Sequence, residues 1–130
     1  VTAAGLVFLC ILQLLRLAPD RIVMVGFSQG ACLTLEYALR RPKRVGALIV
    51  LTGALIAPER PFPAHTLSGT RVLLTGSDAD DWVSAEAVRH TAHVLENLGA
   101  DVQLHIYSGR PHIVSEAELE ESRRFLKSLF

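Results

Sequence analysis

Neither sign of charge is in excess in this sequence: 13 Lys and Arg are matched by 13 Asp and Glu. No basic field therefore points to nucleic acid, and no acidic tail points to a basic partner. The five histidines add positive charge only below about pH 6.5. Cysteine is scarce. The two present, Cys10 and Cys32, form neither a disulfide framework nor a metal-ligand spacing. They suit a reducing compartment, and a cytoplasmic location is expected. No repeat, low-complexity run or linker interrupts the chain. Nor is any apolar run long enough to span a bilayer. Val1 to Leu15 is broken only by Thr2 and Gln13, but it falls short of the roughly 18 to 20 residues required. It also lacks the positive n-region and cleavage site of a secretory signal. By length, a buried or partly buried helix is expected there; left exposed, it would be an interface or aggregation risk.

What is present is apolar material in an ordered pattern. Half of the residues are hydrophobic, enough for a core, and 130 residues make one domain at most. Ile22–Phe27, Val45–Leu51 and Arg71–Thr75 are short, nearly continuous apolar runs. Such runs suit parallel strands covered by helices on both faces. Val102, Leu104 and Ile106 alternate with Gln103, His105 and Tyr107, which predicts a fourth strand with one wetter face near a sheet edge.

Helical patterns fill the gaps. Gln29 to Arg41 stops at Pro42. Ala85 to Leu98 places Val88, Ala92, Leu95 and Leu98 on one stripe, with Gly99 as a C-terminal cap. Ser115 and Glu118 form a capping-box signature. The helix behind them carries Leu119, Ser122, Phe125, Leu126 and Leu129 on one side. Ala54 to Gly69 holds three prolines and reads as a loop. Alternating strand and helix predicts an α/β fold with a mostly parallel four-stranded sheet.

Gly26-Phe27-Ser28-Gln29-Gly30 is a G-x-S-x-G sequence between a predicted strand and a predicted helix. That context fits a nucleophile elbow, in which the serine backbone is strained and glycines at 26 and 30 avoid collisions. The Gln29 N–H would face an oxyanion at the start of the helix. The plainer reading is a tight turn whose glycines serve packing alone.

A serine nucleophile needs a base, and the base needs an orienting acid. Both are available after later strands, at the same edge of a parallel sheet. Asp78, Asp80 and Asp81 crowd one loop. At most one should be ionised and buried beside a histidine. Spacing does not choose among them, and each alone reads equally as a solvated carboxylate. His112 follows the last strand on a Gly/Pro-rich loop, where it could reach the serine or simply face solvent. His90 and His93 share a helix without a third ligand and read as solvated. His65 and His105 have no evident partner, and Cys32 reads as a small hydrophobe rather than a thiol nucleophile.

These residues resemble the phospholipase/carboxylesterase family, which includes acyl-protein thioesterases. The GFSQG elbow with Ala31-Cys32-Leu33-Thr34-Leu35 after it is similar to that family's, as are Leu51-Thr52-Gly53 and Ser108-Gly109-Arg110-Pro111-His112. Asp80-Asp81-Trp82-Val83 matches the acidic segment, so the resemblance selects Asp80. It covers Ala18 to Phe130. It implies the C-terminal part of an α/β-hydrolase fold, with Ser28, Asp80 and His112 as catalytic residues and Gln29 in the oxyanion hole. Trp82 and the Gly53–Ile56 stretch would wall an acyl pocket.

The implied reaction is cleavage of carboxylic esters or thioesters through an acyl-enzyme. Lysophospholipids and acylated thiols are candidate small-molecule substrates, and no metal or organic cofactor is implied. Other α/β-hydrolase branches, such as dienelactone hydrolases or serine peptidases, are rivals.

Three features depart from the pattern. Ser84 replaces a proline. Arg110 replaces an uncharged residue and is expected to alter the rim of the site. The upstream strands, with the loop donating a second oxyanion N–H, have no counterpart before Ile22. An incomplete single domain over residues 1–130 is therefore expected, with a long apolar edge at Ile22–Phe27 that invites a homodimer or aggregation. A catalytically inert fragment serving as an interaction module is the alternative to the enzyme reading.

Overall fold

A computed structural model describes residues 18–42 and 45–130 of the chain. The Val1–Leu15 stretch and Cys10 lie outside the described residues. A 3₁₀ turn at Pro19–Arg21 leads into β1 (Val23–Phe27), α1 (Gln29–Arg40) and β2 (Ala47–Leu51). A long loop then reaches β3 (Arg71–Ser77), α2 (Ala85–Asn97), β4 (Asp101–Tyr107) and α3 (Glu116–Leu129). The four strands pair in chain order, and all three pairings are parallel. Parallel pairing puts every strand's C-terminal end at one edge of the sheet.

The sheet's two faces separate cleanly. Leu48, Val50, Val72 and Leu74 face α1 and α2, joining Leu35, Ala38, Val88, Ala92 and Leu95 in the larger apolar cluster. Ala47, Ile49, Leu51 and Leu73 face the other way, where Phe125 of α3 covers them. All five residues of β2 are buried, as a central strand under helices on both faces requires. The predicted α2 stripe is buried throughout, and Gly99 adopts φ +94°, the left-handed cap expected of it. The capping box is complete: Ser115 Oγ accepts from the Glu118 N–H, and a Glu118 carboxylate oxygen accepts from the Ser115 N–H.

Two expectations need correction. β1 is not covered on both faces among the described residues. Met24 packs into the larger cluster, but Val25 and Phe27 on the opposite face are 60% and 37% exposed. The physical reason is its place in the sheet: among the described residues β1 is an outer strand, the edge expected for Ile22–Phe27, and α3 lies over β3. The α3 stripe is also narrower than its sequence suggested. Leu119 and Leu126 are exposed, because the inward line runs through buried Glu118 and Phe125 and half-buried Ser122 and Leu129 at intervals of three and four. The wetter edge strand is as expected: Asp101 and Gln103 are exposed, while Val102, Leu104 and Ile106 pack on the core.

Candidate active site

The site is built where β1 turns into α1. Ser28 sits at φ 55°, ψ −116°, a strained conformation for a residue with a side chain. Its N–H donates to Leu51 O at 3.0 Å, continuing the sheet, while its own carbonyl accepts from the Cys32 N–H at 3.1 Å, starting the helix. Gly26 makes the turn sterically feasible. A Cβ there would lie 2.3 Å from Gly30 O and 2.6 Å from Thr34 Oγ1. Gly30 differs from the expectation. A Cβ at 30 would meet nothing within 4 Å, because the residue's carbonyl, and not its side-chain position, faces Gly26.

Serine at a helix N-cap ordinarily accepts from the first turn. Ser28 makes no such side-chain cap. Its Oγ lies instead 2.7 Å from His112 Nε2. His112 Nδ1 lies 2.7 Å from Asp80 Oδ2. With the Nδ1 proton donated to the carboxylate, Nε2 is left as the acceptor for the serine hydroxyl. Gln29, as the first helical residue, has no intrahelical acceptor for its N–H, which stands beside Ser28 at the helix's positive end.

Of the three clustered aspartates, the structure brings only Asp80 to the histidine. Its side chain is fully buried. Asp80 Oδ1 accepts from the N–H groups of Trp82 at 2.7 Å and Val83 at 2.8 Å. Burial alone would push the carboxyl up. The Val83, His112 and Trp82 hydrogen bonds together outweigh it and hold the carboxyl below its ordinary value. Asp78 is exposed and accepts from the Gly109 N–H at 2.8 Å, tying the two loops together, and Asp81 faces solvent.

Phe27, to which the sequence assigned no role of its own, and Trp82, expected at the pocket, both stand beside His112. The Phe27 ring lies 5.1 Å from the His112 ring and the Trp82 ring 6.2 Å from it, centroid to centroid. Phe27 of the elbow thus packs against the imidazole of His112. Arg110 overturns the rim expectation: it is 7% exposed, in a buried cluster with Glu118 and Thr52. A charged residue in a Gly/Pro-rich loop reads as exposed, and no local signal shows that Glu118 receives it from α3.

Trp82 is 80% exposed and belongs to the site's surface, not to the core. It lines a cavity of about 450 Å³ together with Cys32, Leu55, Ile56, Asp80 and Val83. Gly53 instead packs against α1, where a Cβ would lie 2.4 Å from Ala31 Cβ.

The remaining histidines stand away from this cluster. His90 lies 4.0 Å from Glu59, His93 3.3 Å from Asn97, and His65 is exposed in the long loop. His105 does have partners, Gln103 at 3.0 Å and Glu121 at 3.4 Å. Among the described residues, no three His, Cys, Asp or Glu side chains converge as a metal site. No helix among them is long and apolar enough to cross a membrane.

Comparison with known proteins gives a consistent picture. Residues 10–130 match the family model described as phospholipase/carboxylesterase. Acyl-protein thioesterase 1 of Gibberella zeae is 30% identical over 115 residues, covering 85% of this chain and 49% of that protein. A probable carboxylesterase of Oryza sativa is 32% identical over 114 residues, covering 85% of this chain and 42% of the relative. The chain thus spans about half the length of the curated relatives it matches. Among solved structures, the phospholipase/carboxylesterase of Dyadobacter fermentans superposes with a TM-score of 0.82 at 30% identity, covering 92% of this chain and 58% of that one.

Proposed function

The chain belongs to the phospholipase/carboxylesterase family, and from that premise we propose that Ser28, His112 and Asp80 carry out acyl transfer from carboxylic esters or thioesters to water. The observation that carries this reading is the hydrogen-bonded line from Ser28 Oγ through His112 to Asp80, with both contacts at 2.7 Å. His112 Nε2 takes the hydroxyl proton as Ser28 attacks the acyl carbon. Asp80 keeps the imidazole in the tautomer that can accept and stabilises the charge it gains. The Gln29 N–H donates to the developing oxyanion. His112 then returns the proton to the leaving alcohol or thiol. A water activated by the same nitrogen releases the acyl group from Ser28.

The substrate end of the proposal rests on the cavity beside Asp80. Leu55, Ile56, Trp82 and Val83 give it apolar walls suited to an acyl chain. A carboxylic ester or thioester of short to medium chain length is the proposed substrate, lysophospholipids among them.

The test is steady-state hydrolysis of p-nitrophenyl butyrate and of a butyryl thioester by the purified chain and by Ser28→Ala. Turnover in the wild type that disappears in Ser28→Ala supports the reading. A folded wild type no faster than Ser28→Ala on either substrate contradicts it and favours an inert interaction module, whose exposed surface would be Val25 and Phe27 on β1.

A further inference from the structure

The buried cation at Arg110 sits behind the Asp80–His112 pair, two residues before the histidine. Its attachments run in four directions. The backbone carbonyl accepts from Ser77 Oγ at 2.5 Å, which fastens the His112 loop to the end of β3. One guanidinium nitrogen donates to Thr52 Oγ1 at 2.5 Å, at the end of β2. Nε lies 2.9 Å from Glu118 Oε1 on α3, close enough to pair although off-line for a hydrogen bond. The remaining nitrogen, Nη1, donates to Pro111 O at 2.7 Å and lies 3.5 Å from Asp80 Oδ2. That carboxylate oxygen is the one that receives the His112 Nδ1 proton.

We infer that Arg110 is a positioning residue: a single buried guanidinium fixes both the Asp80 carboxylate and the peptide immediately before His112, and so sets the geometry between acid and base. Two features make the fork suited to this. Arginine presents several donors in one rigid plane, which a lysine does not. The cluster is also closed on its far side. Glu118 is fully buried, receives a hydrogen bond from Thr75 Oγ1 at 2.6 Å, and belongs to the capping box that starts α3. Arg110 therefore links the ends of β2 and β3 and the start of α3 to the two groups that must hold a sub-ångström relation. Misplacement of reacting groups by about 1 Å costs on the order of a hundredfold in rate.

Removing Arg110 alone would strand Glu118 as a buried unpaired charge and could unfold the chain. The informative variant is Arg110→Met/Glu118→Gln. It removes both charges, keeps an apolar stem in place of the arginine stem, and preserves the capping box, which accepts glutamine.

Two readings are taken. The first is the resonance of the His112 Nδ1 proton in ¹⁵N-edited NMR, assigned by its loss in Asp80→Asn. The second is kcat and KM on p-nitrophenyl butyrate. A folded double variant is expected to show that resonance displaced or broadened. Its kcat should fall about tenfold or more, with KM within about twofold.

A folded variant with the wild-type resonance overturns the inference. Should the double variant not fold, the same readings on Arg110→Lys decide, since lysine keeps the charge and loses the fork. The kinetic reading rests on the acyl-transfer function and the NMR reading does not. A wild type without turnover therefore refutes the proposed reaction, while the resonance still decides the role of Arg110.

Discussion

Ser28 and His112 are 84 positions apart in sequence, yet Oγ and Nε2 lie 2.7 Å from each other. They meet because β1 and β4 are the two outer strands of a four-stranded parallel sheet whose C-terminal ends share one edge. Asp80 reaches the same place from the loop after β3.

Asp80→Asn is expected to lower kcat on p-nitrophenyl butyrate by about 10³- to 10⁴-fold, because the imidazole loses the partner that fixes its tautomer. Stability carries an independent signature. The folded carboxyl is held below its ordinary value of 3.8. A depressed carboxyl contributes stability that is present above that value and lost as pH falls through the folded value. Urea unfolding at pH 6 should therefore show wild type ahead of the variant, and the gap should close below about pH 4. A gap that widens on acidification would contradict the assignment.

Gly26→Ala is expected to destabilise the chain by about 3 kcal/mol, since its Cβ would meet backbone that cannot step aside. Gly30→Ala, with open space around it, should change stability by no more than about 0.5 kcal/mol. Chemical denaturation of the two variants side by side separates them. Equal losses would mean that the turn is not the constraint described.

Glu36 on α1 holds the long loop whose first residues wall the cavity. Arg60 donates to its two carboxylate oxygens at 2.7 and 2.5 Å, and Arg40 adds a third contact at 2.9 Å. The Arg60 hydrogen bonds, as the largest influence, hold the Glu36 carboxyl below its ordinary value of 4.5 despite partial burial. Glu36→Gln should cost about 1 kcal/mol near neutral pH. By the same sign as for Asp80, the difference from wild type should begin to shrink as pH falls below about 4.5 and be smaller at pH 3.5 than at pH 7. Urea titrations at pH 7 and pH 3.5 check both statements.

Trp82→Ala removes an exposed ring from the cavity and should leave stability within about 0.5 kcal/mol. Its effect is expected in selectivity: kcat/KM for an octanoyl ester should fall relative to an acetyl ester by about three- to tenfold. An unchanged ratio would remove Trp82 from the acyl pocket.

Much of the fold was legible because its signals are local. The apolar run of β2, the α2 stripe ending at Gly99 and the Ser115–Glu118 capping box each state their structure within a dozen residues. The elbow was legible for the same reason, since strand, Gly26, Ser28 and helix adjoin. What escaped depends on partners distant in sequence. Spacing could not separate Asp80 from Asp78 and Asp81, because what distinguishes it is the pair of N–H groups at Trp82 and Val83 and the arrival of His112. Arg110 misled for the complementary reason: a charge beside Gly109 and Pro111 reads as surface until Glu118 and Thr52 are seen to enclose it. The edge at Ile22–Phe27 was legible from the missing upstream strands, but the apolar run alone suggested helices on both faces, and Val25 and Phe27 are exposed because α3 lies over β3 instead.

The most direct test of the central claim is covalent. The purified chain is treated with a fluorophosphonate, and the adduct is located by peptide mass spectrometry in the wild type, His112→Ala and Ser28→Ala. The account predicts a single phosphonylated residue, Ser28, formed far more slowly in His112→Ala and absent in Ser28→Ala. Labelling at Ser28 that proceeds at the same rate without the imidazole, or a folded wild type that takes up no probe, would contradict it.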